Sequence, residues 1–550
     1  MNQPKKKHFT FKKAAKYAAA LLMAFTLVLL TACGGSSSSS STAKTAKAKK
    51  TIYLGMVNPP ASFNPINTAD IGGQFAERVM FDAFLDMTSP LKFQPKLANS
   101  ITTKDNQTYT INLNPKAKWT DGKPVTADDV VFTFNLIANP KTTVSVGSNI
   151  STLEGVDANG KLTNGLTSIP DLKAVNAHTV TFKLKAPSDP NYIKEMIGTK
   201  IITLPQHILK DIAPQDLATA PYMVSPTVSD GPYKFVTYNK NTYIQYKAND
   251  DYYLGKPVTP NFYIKIMQAT NLADELQAGT IQANASGGIG DIPYQDIDTV
   301  KKIPNTVTNV YKQIGFQTMQ FNTKTIPNAK VRQALAYAIN RQQIVTKLLK
   351  GQGEIIDGPY TSMSPYLDKS LKTIKYDPKK AKKMLQDAGF DFSKTLNFVV
   401  PIGNQVRMQS ADIIAQNLEA VGVKVKETTY DFPTIMQKGK AGDFDLLLIG
   451  FTFNIDPDVS SLYAPNGTYN FMKYTNPESD ELLQKGKAQV SKADRVATYD
   501  KLQKIWQADM PVLTLYSNYE IVTKSKGLTY GGPTPYWPGT VADFQKWTYK

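Results

Sequence analysis

Between Leu396 and Tyr430 the chain reads as strand, helix, strand, and that order limits the fold more than any other stretch. Leu396–Val400 (LNFVV) is a short apolar run of strand type, Gln405–Ala420 has the length of a helix, and Gly422 ends it. Val423–Tyr430 (VKVKETTY) is then the second strand. Two strands joined by a crossover helix lie parallel, and a parallel pair needs helices on its faces. The chain is therefore expected to be α/β. Asp443–Phe451 (DFDLLLIGF) is a further buried strand. Tyr376–Phe390 is a helix with Asp377 as N-cap, Pro378 at its first position and Gly389 after its end. Lys330–Gly351 is helical, with a break or recapping at Asn340.

The first half has a different texture. Tyr109–Leu113 alternates apolar and polar, Asp121–Pro124 (DGKP) reads as a turn, and Thr126 to Asp129 suits a helix start. Within His178–Pro187, Val180, Phe182 and Leu184 share one face of a strand. With 550 residues, 28 Tyr and 24 Phe, the chain can build more than one core.

The first 50 residues are set apart. Six lysines up to Lys16 precede an apolar run from Ala18 to Leu30, a length that suits a signal-peptide core and is short for a membrane span. Leu30-Thr31-Ala32-Cys33 resembles a bacterial lipobox, with cleavage expected before Cys33 and a diacylglyceryl group expected on its thiol. Residues 1–32 are then a lipoprotein signal peptide and 33–50 a Ser/Ala/Lys-rich tether. Two acyl chains hold a protein on a membrane stably. The expected location is the extracytoplasmic face of the cell membrane of a Gram-positive-type bacterium. The six leader lysines and four in the tether carry ten of the +18 net charge, so +8 is spread over residues 51–550. That dilution gives no nucleic-acid stripe and suits weak attraction to anionic lipid and wall polymers.

Catalytic signals are scarce. Cys33 is the only cysteine, so no intrachain disulfide or cysteine zinc cluster can form. Beyond the leader only His178 and His207 remain, too few for a multi-histidine metal site, and no cofactor is expected. A G-x-S-x-G elbow and a G-x-x-x-x-G-K-[ST] phosphate loop are both absent. The S-x-x-K matches at Ser41–Lys44 and Ser89–Lys92 do not open a helix, and Asp456-Pro457-Asp458 has no second signal to make it a catalytic carboxylate pair. The chain is not expected to be an enzyme.

Pro95–Ile137 (PKLANSITTKDNQTYTINLNPKAKWTDGKPVTADDVVFTFNLI) resembles the signature segment of the peptide-type solute-binding proteins of ABC importers, family 5. Further agreement follows in family order at Ser229–Pro257, Leu276–Ile281, Phe321–Val345, Tyr376–Phe390, Asp443–Asp458 and Met510–Tyr516. The resemblance implies a two-lobe hinged fold of the periplasmic-binding-protein type (type II, Venus-flytrap), with an additional domain on the first lobe. The implied division is 51–90, 196–313 and 515–550 for lobe I, 91–195 for the additional domain and 314–514 for lobe II. Chain crossings are expected near Ile314–Phe321 and Val512–Tyr516. A monomer is expected, capturing oligopeptides between its lobes and passing them to a permease and ATPase complex. Extended peptides can pair main chain to main chain like an added strand.

By the same resemblance the ligand-binding residues are Gly450, Phe451, Thr452, Phe453, Asn454, Asp456 and Asp458, together with Phe63, Asn64 and Ile66 in the first strand–loop–helix. In peptide-binding members the strand begins G-W, with an acid shortly after it for the ligand's α-ammonium. Here Phe451 stands at the Trp position and the acid's place falls at Phe453 or Asn454, so either the anchor for the ligand's N-terminus is missing or Asp456 substitutes for it. A signalling peptide or a non-peptide solute is the alternative cargo. A surface hydrolase or an adhesin is the reading from another class.

Overall fold

In a computed structural model of the protein, residues 50–68, 70–240, 242–529 and 543–550 are described. Cys33, the leader and all of the tether except Lys50 lie outside them.

The helix-crossed pair sits as its pattern requires. Thr395–Pro401 runs parallel to Lys424–Tyr430, with Thr395 opposite Lys424 and Pro401 opposite Tyr430. Leu446–Thr452 lies parallel on its other side. These strands belong to a six-stranded sheet, in the order 353–354, 512–518, 315–321, 446–452, 395–401, 424–430. Successive side chains of Leu446–Thr452 serve opposite faces, and both faces are covered, so the strand is apolar throughout. Leu446 and Leu448 join a core with Phe398, Ala411, Ile414 and Leu418. Leu447, Ile449 and Phe451 join a separate core with Val399, Ile435, Leu462 and Tyr499.

The helical region after Lys330 divides in two, Ala329–Ala338 and Arg341–Lys347. Asn340 makes the break, its side chain accepting the Gln343 N–H as an N-cap. Asp377 caps Pro378–Asp387 through the Lys380 N–H.

The other lobe is built from chain segments far apart in sequence. Its seven-stranded sheet has the order 306–311, 520–525, 283–284, 51–56, 261–266, 243–248, 233–239. Against it pack a four-stranded sheet (98–103, 108–113, 179–183, 173–176) and the helix Ala127–Ala138. Thr126 and Asp129 form the helix's capping box, and Asp129 also accepts from Trp119 Nε1 and the Gln206 N–H. Val180, Phe182 and Leu184 lie in one continuous core with Ile52 and Phe262, so the additional domain shares the core of lobe I.

Two crossings join the lobes. Residues 312–314 connect Thr306–Tyr311 of one sheet to Gly315–Phe321 of the other. Tyr519 alone separates Val512–Asn518 from Glu520–Ser525. The return therefore comes after residue 518, not after 514. Val512–Asn518 must stay whole in the six-stranded sheet, where it pairs with Gly315–Phe321 on one side and Gly353–Glu354 on the other.

Candidate ligand site between the lobes

The carboxyl ends of Thr395–Pro401, Lys424–Tyr430 and Leu446–Thr452 all point one way, the end of an α/β sheet at which ligands settle. Beyond Thr452 the chain leaves the sheet and meets the first lobe. A cavity of about 330 Å³ lies at this junction. Ile314, Thr452, Phe453, Asn454 and Ile455 form its second-lobe wall. The first lobe supplies Pro65, Thr68, Glu77, Arg78, Met87 and Asp86 from one region. It supplies Ser145, Asn149, Glu195 and Lys200 from another.

The sequence candidates divide accordingly. Thr452, Phe453 and Asn454 line the cavity. Gly450 lies one step back, where a Cβ would come within 2.5 Å of Gln317 Nε2, and Gln317 is itself held by Arg407 Nε at 2.8 Å. A glycine is needed at this close approach. Phe451 falls on the opposite face of its strand by simple alternation, buried against Phe316 and Tyr469 and stacked on Phe453 at 5.4 Å.

Asp456 does not face the cavity. Arg495 holds it in a two-pronged pair, Nη1 to Oδ2 at 2.6 Å and Nη2 to Oδ1 at 3.0 Å. Burial pushes its carboxyl up to about 6 against the pull of Arg495. Asp458 accepts the Ser460 N–H at 3.0 Å and pairs with Lys487 at 3.4 Å, a local turn role. In the first loop, Phe63 packs on Phe235 and Tyr238, each at 5.2 Å, Asn64 Oδ1 accepts the Ile66 N–H, and Ile66 is fully buried. That loop's apolar side chains turn into the core, and Pro65 and Thr68 reach the cavity in their place.

Charged groups that sequence patterning missed dominate the first-lobe wall. Glu77 and Arg78 end the short helix Ile71–Arg78. The Thr68 hydroxyl lies within hydrogen-bond distance of two acceptors, Asn64 O at 2.8 Å and Glu77 Oε1 at 2.5 Å. Burial raises the Glu77 carboxyl to about 8, against the pull of the Thr68 hydrogen bond. Arg78 donates to Thr199 O, and Asp86 lies 3.5 Å from Lys96. Glu195 accepts the Ile455 and Asp456 N–H groups at 2.8 and 2.9 Å, while Lys200 donates to Asn454 Oδ1. Burial lowers the Lys200 pKa, with Glu195 acting in the opposite sense. The only sequence cue was the presence of charged residues inside otherwise apolar or small stretches, QFAER and KEMIGTK.

Among the described residues no group of three His, Cys, Asp or Glu side chains is placed to hold a metal ion. His207 pairs with Asp121 at 2.7 Å, away from the cavity.

Two α/β lobes, joined by two short crossings and facing each other across a cavity of mixed charged and apolar groups, define a hinged solute receptor. The chain belongs to the bacterial extracellular solute-binding proteins, family 5, whose model matches residues 92–473. Members of this family bind solutes and are not enzymes. The chain is 27% identical over 532 residues to the oligopeptide-binding protein AppA of Bacillus subtilis, covering 92% of this chain and 93% of that one. The solved structure of B. subtilis AppA in complex with a nonapeptide has a TM-score of 0.75 and 24% identity, covering 92% of this chain and 100% of that chain. A putative peptide-binding protein AppA from Clostridium difficile has a TM-score of 0.79 at 22% identity, covering 91% and 100%.

Proposed function

We propose that the protein captures oligopeptides between its lobes and hands them to an ABC-type permease, while lipid on Cys33 holds it on the outer face of the cell membrane. The cavity carries the reading. It sets Arg78 and Lys200 among Glu195 and Asp86, beside apolar surface from Met87, Ile314 and Phe453. A peptide with polar main-chain groups and varied side chains complements that mixture, and water can fill what the side chains leave. The name and ligand of the AppA relatives support the same cargo. The lipobox supports the anchor: Cys33→Ser is expected to move the protein from the membrane fraction into the medium.

The direct test is native mass spectrometry of the purified protein, followed by release and sequencing of what it carries. A mixed set of peptides is the expected result. An empty protein that also ignores a peptide library, or one loaded with a sugar or metal complex, would overturn the reading.

Asn454 adds a sharper expectation. It is uncharged and receives Lys200, so a ligand's α-ammonium gains no ion pair at that position. Acetylating a bound peptide's N-terminus is expected to change its affinity by less than about threefold. A loss of about a hundredfold would instead place an ammonium anchor on Glu195 or Asp86.

A further inference from the structure

Residues 189–200 of the first lobe reach the second lobe at three points. Asp189 Oδ2 accepts from Arg495 Nη1 at 2.9 Å. Both oxygens of Glu195 accept backbone N–H groups, from Ile455 and Asp456. Lys200 meets Asn454. Each end of this patch is rooted in its own lobe. Ile193 and Ile197 lie in the core of the first lobe, and Tyr499 and Leu502, on the helix that carries Arg495, lie in a core of the second. Glu195 itself sits on a π-helical turn, Lys194–Gly198, that continues the turn Pro190–Ile193. Such wide turns often mark functional positions, because the extra residue re-aims the side chains around it.

Asp189, Glu195, Asp456 and Arg495 are each no more than 3% exposed. One guanidinium therefore serves two carboxylates from opposite lobes, out of water, with Asp189 and Arg495 both outside the cavity lining. When the lobes part, Arg495 keeps Asp456 while Asp189 and Glu195 return to solvent. In such buried clusters the desolvation cost offsets much of the attraction, and the pairing specifies one closed geometry. The backbone that Glu195 holds is also the cavity wall.

We propose that Asp189, Glu195 and Arg495 form a lobe-to-lobe latch that closes the protein without ligand and positions the cavity wall at Thr452–Ile455. Asp189 and Arg495 are positioning residues: they touch no ligand and act through the segment that does. Ligand then enters only during unlatched intervals, and removing the latch speeds both its arrival and its departure.

Hydrogen exchange tests this in the full-length protein, freed of ligand by unfolding and refolding. The Ile455 and Asp456 amides are expected to be protected in the ligand-free wild type. In Asp189→Asn, whose side chain can still accept the Asn191 N–H that starts its turn, they are expected to exchange about tenfold faster or more. The amides of Thr395–Pro401 should be unchanged in the variant, which separates unlatching from general loosening. Rapid exchange at Ile455 and Asp456 in the ligand-free wild type would overturn the proposal, and so would equal protection in the variant. The wild-type measurement decides by itself if the variant does not fold. No ligand is involved, so the outcome is independent of what the cavity carries.

Discussion

Arg341→Met is expected to destabilise the second lobe by about 3–5 kcal/mol, the range for removing one member of a buried ion pair. Arg341 is 2% exposed and its guanidinium is fully committed. It donates to Ile356 O at 2.9 Å, Thr514 O at 2.8 Å and Ile374 O at 2.6 Å, and pairs with Asp357 at 2.9 Å. Those carbonyls belong to the loop after Gly353–Glu354 and to the strand Val512–Asn518, so one side chain ties loop to sheet. Methionine matches the bulk but donates nothing. Asp357, whose carboxyl burial already raises against the pull of Arg341, would lose its counter-charge. Urea unfolding of the ligand-free protein should show the loss as a lower midpoint with unchanged slope. Adding Asp357→Asn should recover part of it, because the orphaned charge is then gone. A loss below about 1 kcal/mol for Arg341→Met would mean that water already satisfies these carbonyls.

Glu77→Gln is expected to stabilise the protein at neutral pH and to flatten its pH dependence. The Glu77 pKa stands at about 8 in the folded chain against an ordinary 4.5. Between those values the unfolded chain releases a proton that the folded chain keeps, so stability falls as pH rises. The slope is about 1.4 kcal/mol per pH unit, or about 3 kcal/mol by pH 7. Below about 4.5 both states are protonated and the penalty vanishes; above about 8 it stops growing. Glutamine keeps an oxygen that accepts the Thr68 hydroxyl and cannot ionise. Thermal unfolding of both proteins from pH 4.5 to 8 should start nearly together and diverge in favour of the variant. Parallel curves would show that Glu77 is ionised in the folded protein.

Much of the second lobe was legible because its elements carry their own punctuation. Asp377 with Pro378, Asn340 and the apolar run of Leu446–Thr452 each declare an element within a few residues. The division between lobes was harder. Val512–Asn518 and Glu520–Ser525 are both apolar strand sequences, one residue apart, and only pairing partners hundreds of residues away assign them to different sheets.

The site was legible along one wall. Thr452, Phe453 and Asn454 follow from the strand they extend, but Asp456 is a candidate on sequence only until Arg495, 39 residues on, is seen to hold it. Glu77 and Glu195 could not be found in advance. On sequence they are ordinary helix glutamates, and only burial separates them from solvated ones.

The position of Glu520–Ser525 also fixes an order of events at synthesis. This strand lies between Thr306–Tyr311 and Ala283–Asn284, inside a sheet that otherwise consists of residues made before the second lobe begins. Residues 315–518 contain every strand of their own sheet and can pair as soon as they emerge. The first lobe begins earlier and finishes later, with an open slot and two unpaired edges while the whole second lobe is being made. Unpaired edges invite pairing with other chains. An aggregation-exposed period therefore falls before Glu520–Ser525 is added, and it belongs to the lobe that was translated first.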